Sequence, residues 1–286
     1  MPELPEVEVV KKSLKKKIEN LVIKKVKIND ANLRYKLDKK EISKLIGKKI
    51  KKIERRSKFL IFQMSDNKQV LIHLGMTGKL FFINKKKKYK TSFYYNLDPK
   101  KDFKHDRVIF YFKNSQKLIY NDVRKFGFIK LFDSDKFENC HLDKLGPEPL
   151  GKNLNFNYFK NYILGRRRNI KDILMDQQCI SGLGNIYVNE ILFESKIKPN
   201  RKVSSLKDFE INKILKNTKK ILQNSIKLGG SSIKDFLSDN GKGSFQQYFN
   251  VYGRKGQNCS NVDCNERIMR TVISNRATFF CKKCQK

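Results

Sequence analysis

The chain contains no run of about 18 apolar residues, the length a transmembrane helix needs, so it is not expected to span a membrane. Its first residues lack the shape of a signal peptide, because Glu3, Glu6 and Glu8 interrupt the place where an apolar stretch would be required. A cytoplasmic protein is the expectation. No internal repeat is visible, which sets solenoid architectures aside. Acidic residues are scarce: 28 Asp and Glu face 64 Lys and Arg, a net charge of +36. Such an excess points to a polyanionic partner, since each phosphate neutralised by Lys or Arg releases counterions. Part of it reflects a composition rich in Lys, Asn and Ile, as AT-rich coding sequences produce. The lysines are spread along the chain, as at Lys15–Lys17, Lys48–Lys52 and Lys85–Lys88. A charge run alone is ordinarily a solvated face. Cysteine is sparse too, six in all, with four gathered at the C-terminus. Cys140 and Cys179 stand alone and read most simply as buried apolar residues.

What is present is enough for folded cores: 286 residues, 39% of them hydrophobic, allow two domains and a small appended module. Residues 3–18 read as a helix, with Val7, Val10, Leu14 and Ile18 at helical spacing. Pro2 precedes the first turn, and Glu3 and Glu6 lie near the positive end of the helix dipole. From about 20 to 132 the pattern becomes short apolar runs, at 22–28, 59–64, 70–74, 80–83, 108–112, 118–120 and 126–132, separated by polar turns. This predicts antiparallel strands in a sandwich or barrel. Residues 133–152 read as a linker stiffened by Gly146-Pro147-Glu148-Pro149. Helical spacing returns over 153–228, and the Gly- and Ser-rich stretch 229–247 reads as a mobile loop. The expected fold is therefore multidomain α+β. A helix and β-sandwich span 1–132, a helical domain with its loop spans 153–249, and a cysteine module spans 250–286.

Cys259-x4-Cys264 and Cys281-x2-Cys284, sixteen residues apart, have the spacing of a four-thiolate zinc site built from two knuckles. The alternative is two disulfides or free thiols, which a cytoplasmic setting disfavours. Four thiolates leave no position for water, so one structural zinc is expected, and it would largely hold so small a module together. Arg276, on the second hairpin, reads equally as a phosphate contact or as one more solvated arginine. Gly182-Leu183-Gly184-Asn185 lies between two helical patterns. It permits a tight turn and a helix N-terminus able to meet a phosphate, but plain helix–turn–helix packing explains it as well.

The chain begins Met1-Pro2-Glu3-Leu4-Pro5-Glu6. Removal of Met1 would expose the secondary amine of Pro2, and an α-amine with a pKa of about 7.7–8.0 is partly unprotonated at neutral pH. Such an amine can form an iminium with an aldehyde-level carbon, and two nearby carboxylates can divide acid and base roles. An ordinary helix start has the same residues, and from the N-terminus alone it is the preferred reading.

The opening Met1-Pro2-Glu3-Leu4-Pro5-Glu6-Val7-Glu8 resembles the signature of the formamidopyrimidine-DNA glycosylase family. Further motifs follow in the family's order: Arg55-Arg56-Ser57-Lys58, His73-Leu74-Gly75-Met76-Thr77-Gly78, Lys104-His105-Asp106, and Asp122-Val123-Arg124-Lys125-Phe126-Gly127. Leu145-Gly146-Pro147-Glu148-Pro149, Gly182-Leu183-Gly184-Asn185-Ile186-Tyr187, Gly229-Gly230, Lys234-Asp235-Phe236, Val251-Tyr252-Gly253-Arg254 and Arg276-Ala277-Thr278-Phe279 complete the series. The resemblance covers essentially the whole chain. Two departures stand out: four residues rather than two separate the first cysteine pair, and Val123 and Lys125 replace a usual Pro and Arg.

The resemblance implies a helix-two-turn-helix DNA-binding domain and a zinc finger after the sandwich. It also implies a bifunctional glycosylase and abasic-site lyase of base excision repair, acting as a monomer on damaged double-stranded DNA. Its substrates would be oxidised purines, 8-oxoguanine and formamidopyrimidines. Pro2 would attack C1′ and form a Schiff base, Glu3 would be the acid for sugar-ring opening, and Glu6 would support them. Lys58 would assist β-elimination and Arg276 δ-elimination. Met76, Arg124 and Phe126 would fill the helix where the damaged base flips out. His105, Arg124, Arg166 and Asn185 would contact phosphates, and the loop 231–247 would close over the base. The rivals are an endonuclease VIII-like enzyme for oxidised pyrimidines and a non-catalytic zinc nucleic-acid-binding protein. The set Met76, Arg124, Phe126 and the loop 231–247 favour the purine branch, and intact Pro2, Glu3, Lys58 and Arg276 favour an enzyme.

Overall fold

The computed structural model describes residues 1–84, 103–133, 141–231 and 247–286, together with the backbone of 87–90. Cys140, Lys85, Lys86, the Lys234-Asp235-Phe236 motif, part of the expected linker and nearly all of the expected base-covering loop lie outside these residues. The chain divides into two compact units, residues 1–143 with 229–243 and residues 144–228 with 244–286, each with its own core.

The first unit opens with α1 (Leu4–Ile18). Val7, Val10, Leu14 and Ile18 are all at most 2% exposed, so the helical spacing read from the sequence is the buried stripe. Pro5 sits in the first turn, where a missing N–H costs nothing, and Lys15, Lys16 and Lys17 lie in the last turn, complementing the dipole. Two antiparallel sheets follow. One has the order β1 (Lys25–Ile28), β7 (Asp106–Tyr111), β8 (Lys117–Asp122), β5 (Gly78–Asn84), β6 (Lys87–Lys90). The other has the order β2 (Ile50–Arg56), β3 (Phe59–Met64), β4 (Lys68–His73), β9 (Phe128–Asp133).

Alternation along these strands makes the sandwich. Leu60, Phe62 and Met64 of β3 join Leu80 and Phe82 of β5, Val108 and Phe110 of β7 and the α1 stripe in one core. The intervening residues point outward: Phe81, Ile109 and Ile119 form a small cluster on one outer face, and Ile61, Leu71 and Phe128 one on the other. The sandwich expectation therefore holds. The sequence did not signal β2 or the short helix α2 (Lys39–Ser43), and the first strand is shorter than the apolar run suggested.

The second unit contains α3 (Phe156–Ile163), α4 (Ile170–Met175), α5 (Asn185–Glu194) and α6 (Asp208–Lys227), then the hairpin β10 (Met269–Ile273) and β11 (Arg276–Phe280). Asn155 and Asn169 cap α3 and α4 by accepting the Tyr158 and Asp172 amides. Gln177 staples the turn between α4 and α5: its amide donates to the Met175 and Leu183 carbonyls, and its oxygen accepts the Gly182 amide. Cys179 is fully buried, as expected of a lone apolar cysteine.

Candidate active site

At the start of α1, Glu3 is the N-cap, and its backbone N–H donates to Glu6 Oε2 at 2.8 Å. Glu6 is 1% exposed, and its other oxygen, Oε1, accepts both the amide (2.9 Å) and the hydroxyl (3.0 Å) of Ser231. Pro2 is buried beside them. The N-terminal amine, carried here by Met1, is held below its ordinary value of 8.0. Burial is the main cause; Glu3 and Glu6 oppose it, and the charges of Lys58 and Arg124 reinforce it. Glu3, Glu6, Lys58 and Arg124 thus all act on the charge of the Met1 amine, one residue before the expected nucleophile.

Lys58 is 7% exposed, in the turn between β2 and β3 where Ser57 takes a left-handed φ of +55°. Arg55 fixes this turn, donating Nε to Glu8 of α1 at 2.8 Å and Nη1 to the Ser57 carbonyl at 2.9 Å. The Glu8–Arg55 clamp was not foreseen, because a Glu at a helix start and an Arg in a basic run carry no sign of pairing.

Met76 and Phe126 are exposed, 45% and 44%, and are not core residues. Their two turns are pressed together. A Cβ on Gly75, whose φ is +59°, would stand 2.5 Å from the Gly127 nitrogen. Asp122, fully buried, ties the turns: Oδ1 accepts the Thr77 hydroxyl at 2.5 Å and Oδ2 the Gly127 amide at 2.8 Å. Thr77 Oγ1 in turn accepts the Arg124 amide at 3.0 Å. The Arg124 guanidinium lies 4.5 Å from the centre of the Phe126 ring. The arrangement presents two apolar side chains and a cation on a rigid base. Its organisers, Asp122 and Thr77, lie within quoted motifs but were not singled out.

His73, also not singled out, accepts the Gly75 amide on Nδ1 at 3.1 Å, and burial with the charge of Lys58 pushes its pKa down to about 4. His105 is half-buried, with Nδ1 3.2 Å from Arg107 Nη2.

In the second unit, Asn185 at the start of α5 donates its side-chain amide to the Ala277 carbonyl at 2.9 Å. Lys171, fully buried, donates to Thr278 Oγ1 at 2.6 Å and to the Ala277 carbonyl at 3.3 Å. Its amine is held down near 8, first by burial. These bonds lock the exposed Arg276 to the helices, so Asn185 and Arg276 share one scaffold. Arg166 lies beyond the end of α3, with its guanidinium 4.4 Å from the centre of the Tyr162 ring.

The Sγ atoms of Cys259, Cys264, Cys281 and Cys284 lie within 4.8 Å of one another. Cys259–Cys284 is 3.8 Å and Cys264–Cys281 is 3.6 Å. A tetrahedron with metal–sulfur bonds of about 2.3 Å has edges of about 3.8 Å, so the cluster fits a metal ion and not two disulfides. The four-residue spacing of the first knuckle is accommodated.

Residues 1–129 match the formamidopyrimidine-DNA glycosylase N-terminal domain, and residues 145–237 match the formamidopyrimidine-DNA glycosylase H2TH domain. The formamidopyrimidine-DNA glycosylase of Rickettsia massiliae is 40% identical over 286 residues, covering 100% of this chain and 97% of that protein. That of Rickettsia felis is 40% identical, with 100% and 98% covered. Among solved structures, a Lactococcus lactis Fpg mutant complexed with Fapy-dG-containing DNA superposes with a TM-score of 0.86 at 34% identity, all of both chains being covered. Lactococcus lactis Fpg complexed with DNA containing an abasic site gives 0.86 at 33%, with 99% of each chain covered. The chain belongs to the formamidopyrimidine-DNA glycosylase family.

Proposed function

We propose that the protein excises oxidised purines, 8-oxoguanine and formamidopyrimidines, from duplex DNA and then cuts the strand. The observation that carries this reading is the buried Pro2 at the head of α1, next to the buried Glu3, whose amide is held by Glu6 at 2.8 Å, in the same unit as the buried Lys58.

With Met1 removed, the Pro2 nitrogen lone pair forms a bond to C1′ of the lesion nucleotide as the bond from C1′ to the base breaks, and the Pro2 N–H proton passes to the departing base. Glu3 gives a proton to the ring oxygen, the sugar opens, and an iminium joins Pro2 to C1′. Loss of a C2′ proton then expels the 3′ phosphate, assisted by Lys58. A second elimination, assisted by Arg276, expels the 5′ phosphate, and water releases the sugar remnant from Pro2. Glu6 orients the start of α1. Met76, Arg124 and Phe126 occupy the gap left by the everted base. His105, Arg124, Arg166 and Asn185 hold phosphates.

The metal is one structural zinc, held by Cys259, Cys264, Cys281 and Cys284. It supplies no reacting position and keeps the Arg276 hairpin formed. The catalytic part corresponds to 1–132, the linker to 133–152, the DNA-binding helices and base-covering loop to 153–249, and the zinc finger to 250–286. Such an enzyme works as a monomer in the cytoplasm, where bacterial DNA lies.

The test is borohydride trapping on duplex DNA with 8-oxoguanine opposite cytosine. A covalent adduct is expected from the processed protein and none from Pro2→Gly. An undiminished adduct with Pro2→Gly overturns the mechanism. Stronger trapping on an oxidised pyrimidine would move the protein to the pyrimidine branch.

A further inference from the structure

Asp30 takes no part in the chemistry above, yet it joins two of the parts. Its Oδ2 accepts from Arg107 Nη1 at 2.9 Å and from Lys125 Nζ at 2.7 Å, and Oδ1 accepts the Asn32 amide at 2.9 Å. Arg107 also donates Nε to the Asp122 carbonyl at 2.9 Å, and its Nη2 meets His105 Nδ1 at 3.2 Å. A guanidinium only donates, so His105 Nδ1 is the acceptor and the neutral ring carries its proton on Nε2. Lys125 stands between Arg124 and Phe126 with a left-handed φ of +58°, a conformation disfavoured for a residue with a Cβ.

An isolated surface ion pair would hold such a turn weakly. Here one carboxylate binds two cations, and the side-chain exposures are 20% for Asp30, 10% for Arg107 and 40% for Lys125. Arg107 is itself pinned to the backbone of Asp122, the residue that ties the two exposed turns. A displacement at Asp30 is therefore felt on both sides.

We infer that Asp30 is a positioning residue for base eversion, holding the Arg124–Phe126 turn through Lys125 and presenting the His105 Nε2 proton to the DNA backbone through Arg107. The inference rests on the roles proposed above for Arg124, Phe126 and His105.

Two quantities separate the arms: duplex affinity, and the eversion rate followed in the stopped flow with 2-aminopurine beside 8-oxoguanine. The full processed chain is used throughout. Asp30→Asn is expected to slow eversion at least about fivefold and to weaken binding, whereas Lys125→Met slows eversion alone. The double variant should be no slower than the slower single one, because both changes cut the same link. Asp30→Glu should restore most of the rate. Were Asp30→Asn to lower the melting temperature sharply, Lys125→Met and Asp30→Glu carry the same comparison. Additive effects, or eversion within about twofold of the parent in Asp30→Asn while Arg124→Ala and Phe126→Ala slow it, overturn the inference alone. Unchanged eversion in Arg124→Ala and Phe126→Ala would instead remove the reading on which it rests.

Discussion

Gly75 and Gly127 touch backbone to backbone: a Cβ on Gly75 would lie 2.5 Å from both the Gly127 nitrogen and the Phe126 carbonyl carbon. Neither atom can move aside as a side-chain tip would. Gly75→Ala is therefore expected to destabilise the protein by about 2–4 kcal/mol, combining overpacking with the left-handed φ. It should also part the turns bearing Met76 and Phe126. An ångström of misplacement can cost about a hundredfold in rate, so base excision should fall far more than nicking of a preformed abasic site. Urea unfolding and single-turnover assays on both substrates check this, and equal losses on the two would argue against it.

The Met1 amine is held below 8.0, and the Pro2 amine freed by its removal, one residue on, is expected to meet the same burial and charges. A depressed amine pKa leaves the free base present to lower pH, and trapping should fade only as pH drops through that value, below 8.0. Lys58 lowers this pKa and Glu6 raises it. Lys58→Met should accordingly move the acid limb of the trapping rate upward, and Glu6→Gln should move it downward. If neither limb moves, the amine does not sense these charges.

His73 supplies a stability test. Its folded pKa of about 4 lies below the ordinary 6.5. The unfolded chain therefore takes a proton below 6.5 that the folded chain refuses until about 4. The contribution of His73 is whole above 6.5 and is lost as pH falls toward 4. About 2.5 pKa units correspond to roughly 3 kcal/mol. Between those pH values the parent should lose more stability than His73→Gln, as read by urea midpoints. Parallel losses would contradict the linkage.

For the cysteine cluster, the expected content is one zinc per chain by elemental analysis. Cys281→Ser or a strong chelator should remove it and weaken duplex binding by more than about tenfold, because the hairpin carrying Arg276 has little core of its own. Retained affinity in a zinc-free protein would show that the hairpin folds without metal.

Much of the scaffold was legible from spacing. The α1 stripe, seven of the strands and the cysteine pairs follow from periodicities of 3.6 and 2 and from ligand spacing. Strand β2 was hidden because Lys48–Lys52 fills most of its start with lysine, leaving Ile50 and Ile53, 1% and 2% exposed, as the sole apolar marks. Spacing could not tell Met76 and Phe126 from core residues, since both adjoin apolar strands; their exposure depends on a glycine contact made in three dimensions. Asp30, Glu8 and Ser231 were out of reach for the same reason. Each acts on a partner distant in sequence, and no local pattern encodes such a pairing.

The bonds from Ser231 to Glu6 span 225 positions. At about 5–20 residues per second, a ribosome completes that span on the order of ten to forty seconds after the first turn of α1 is made. During that interval Glu6 has no Ser231 to bind, and the first residues are still open to processing enzymes. The order of synthesis thus leaves Met1 open to cleavage before the Ser231 bonds to Glu6 can form.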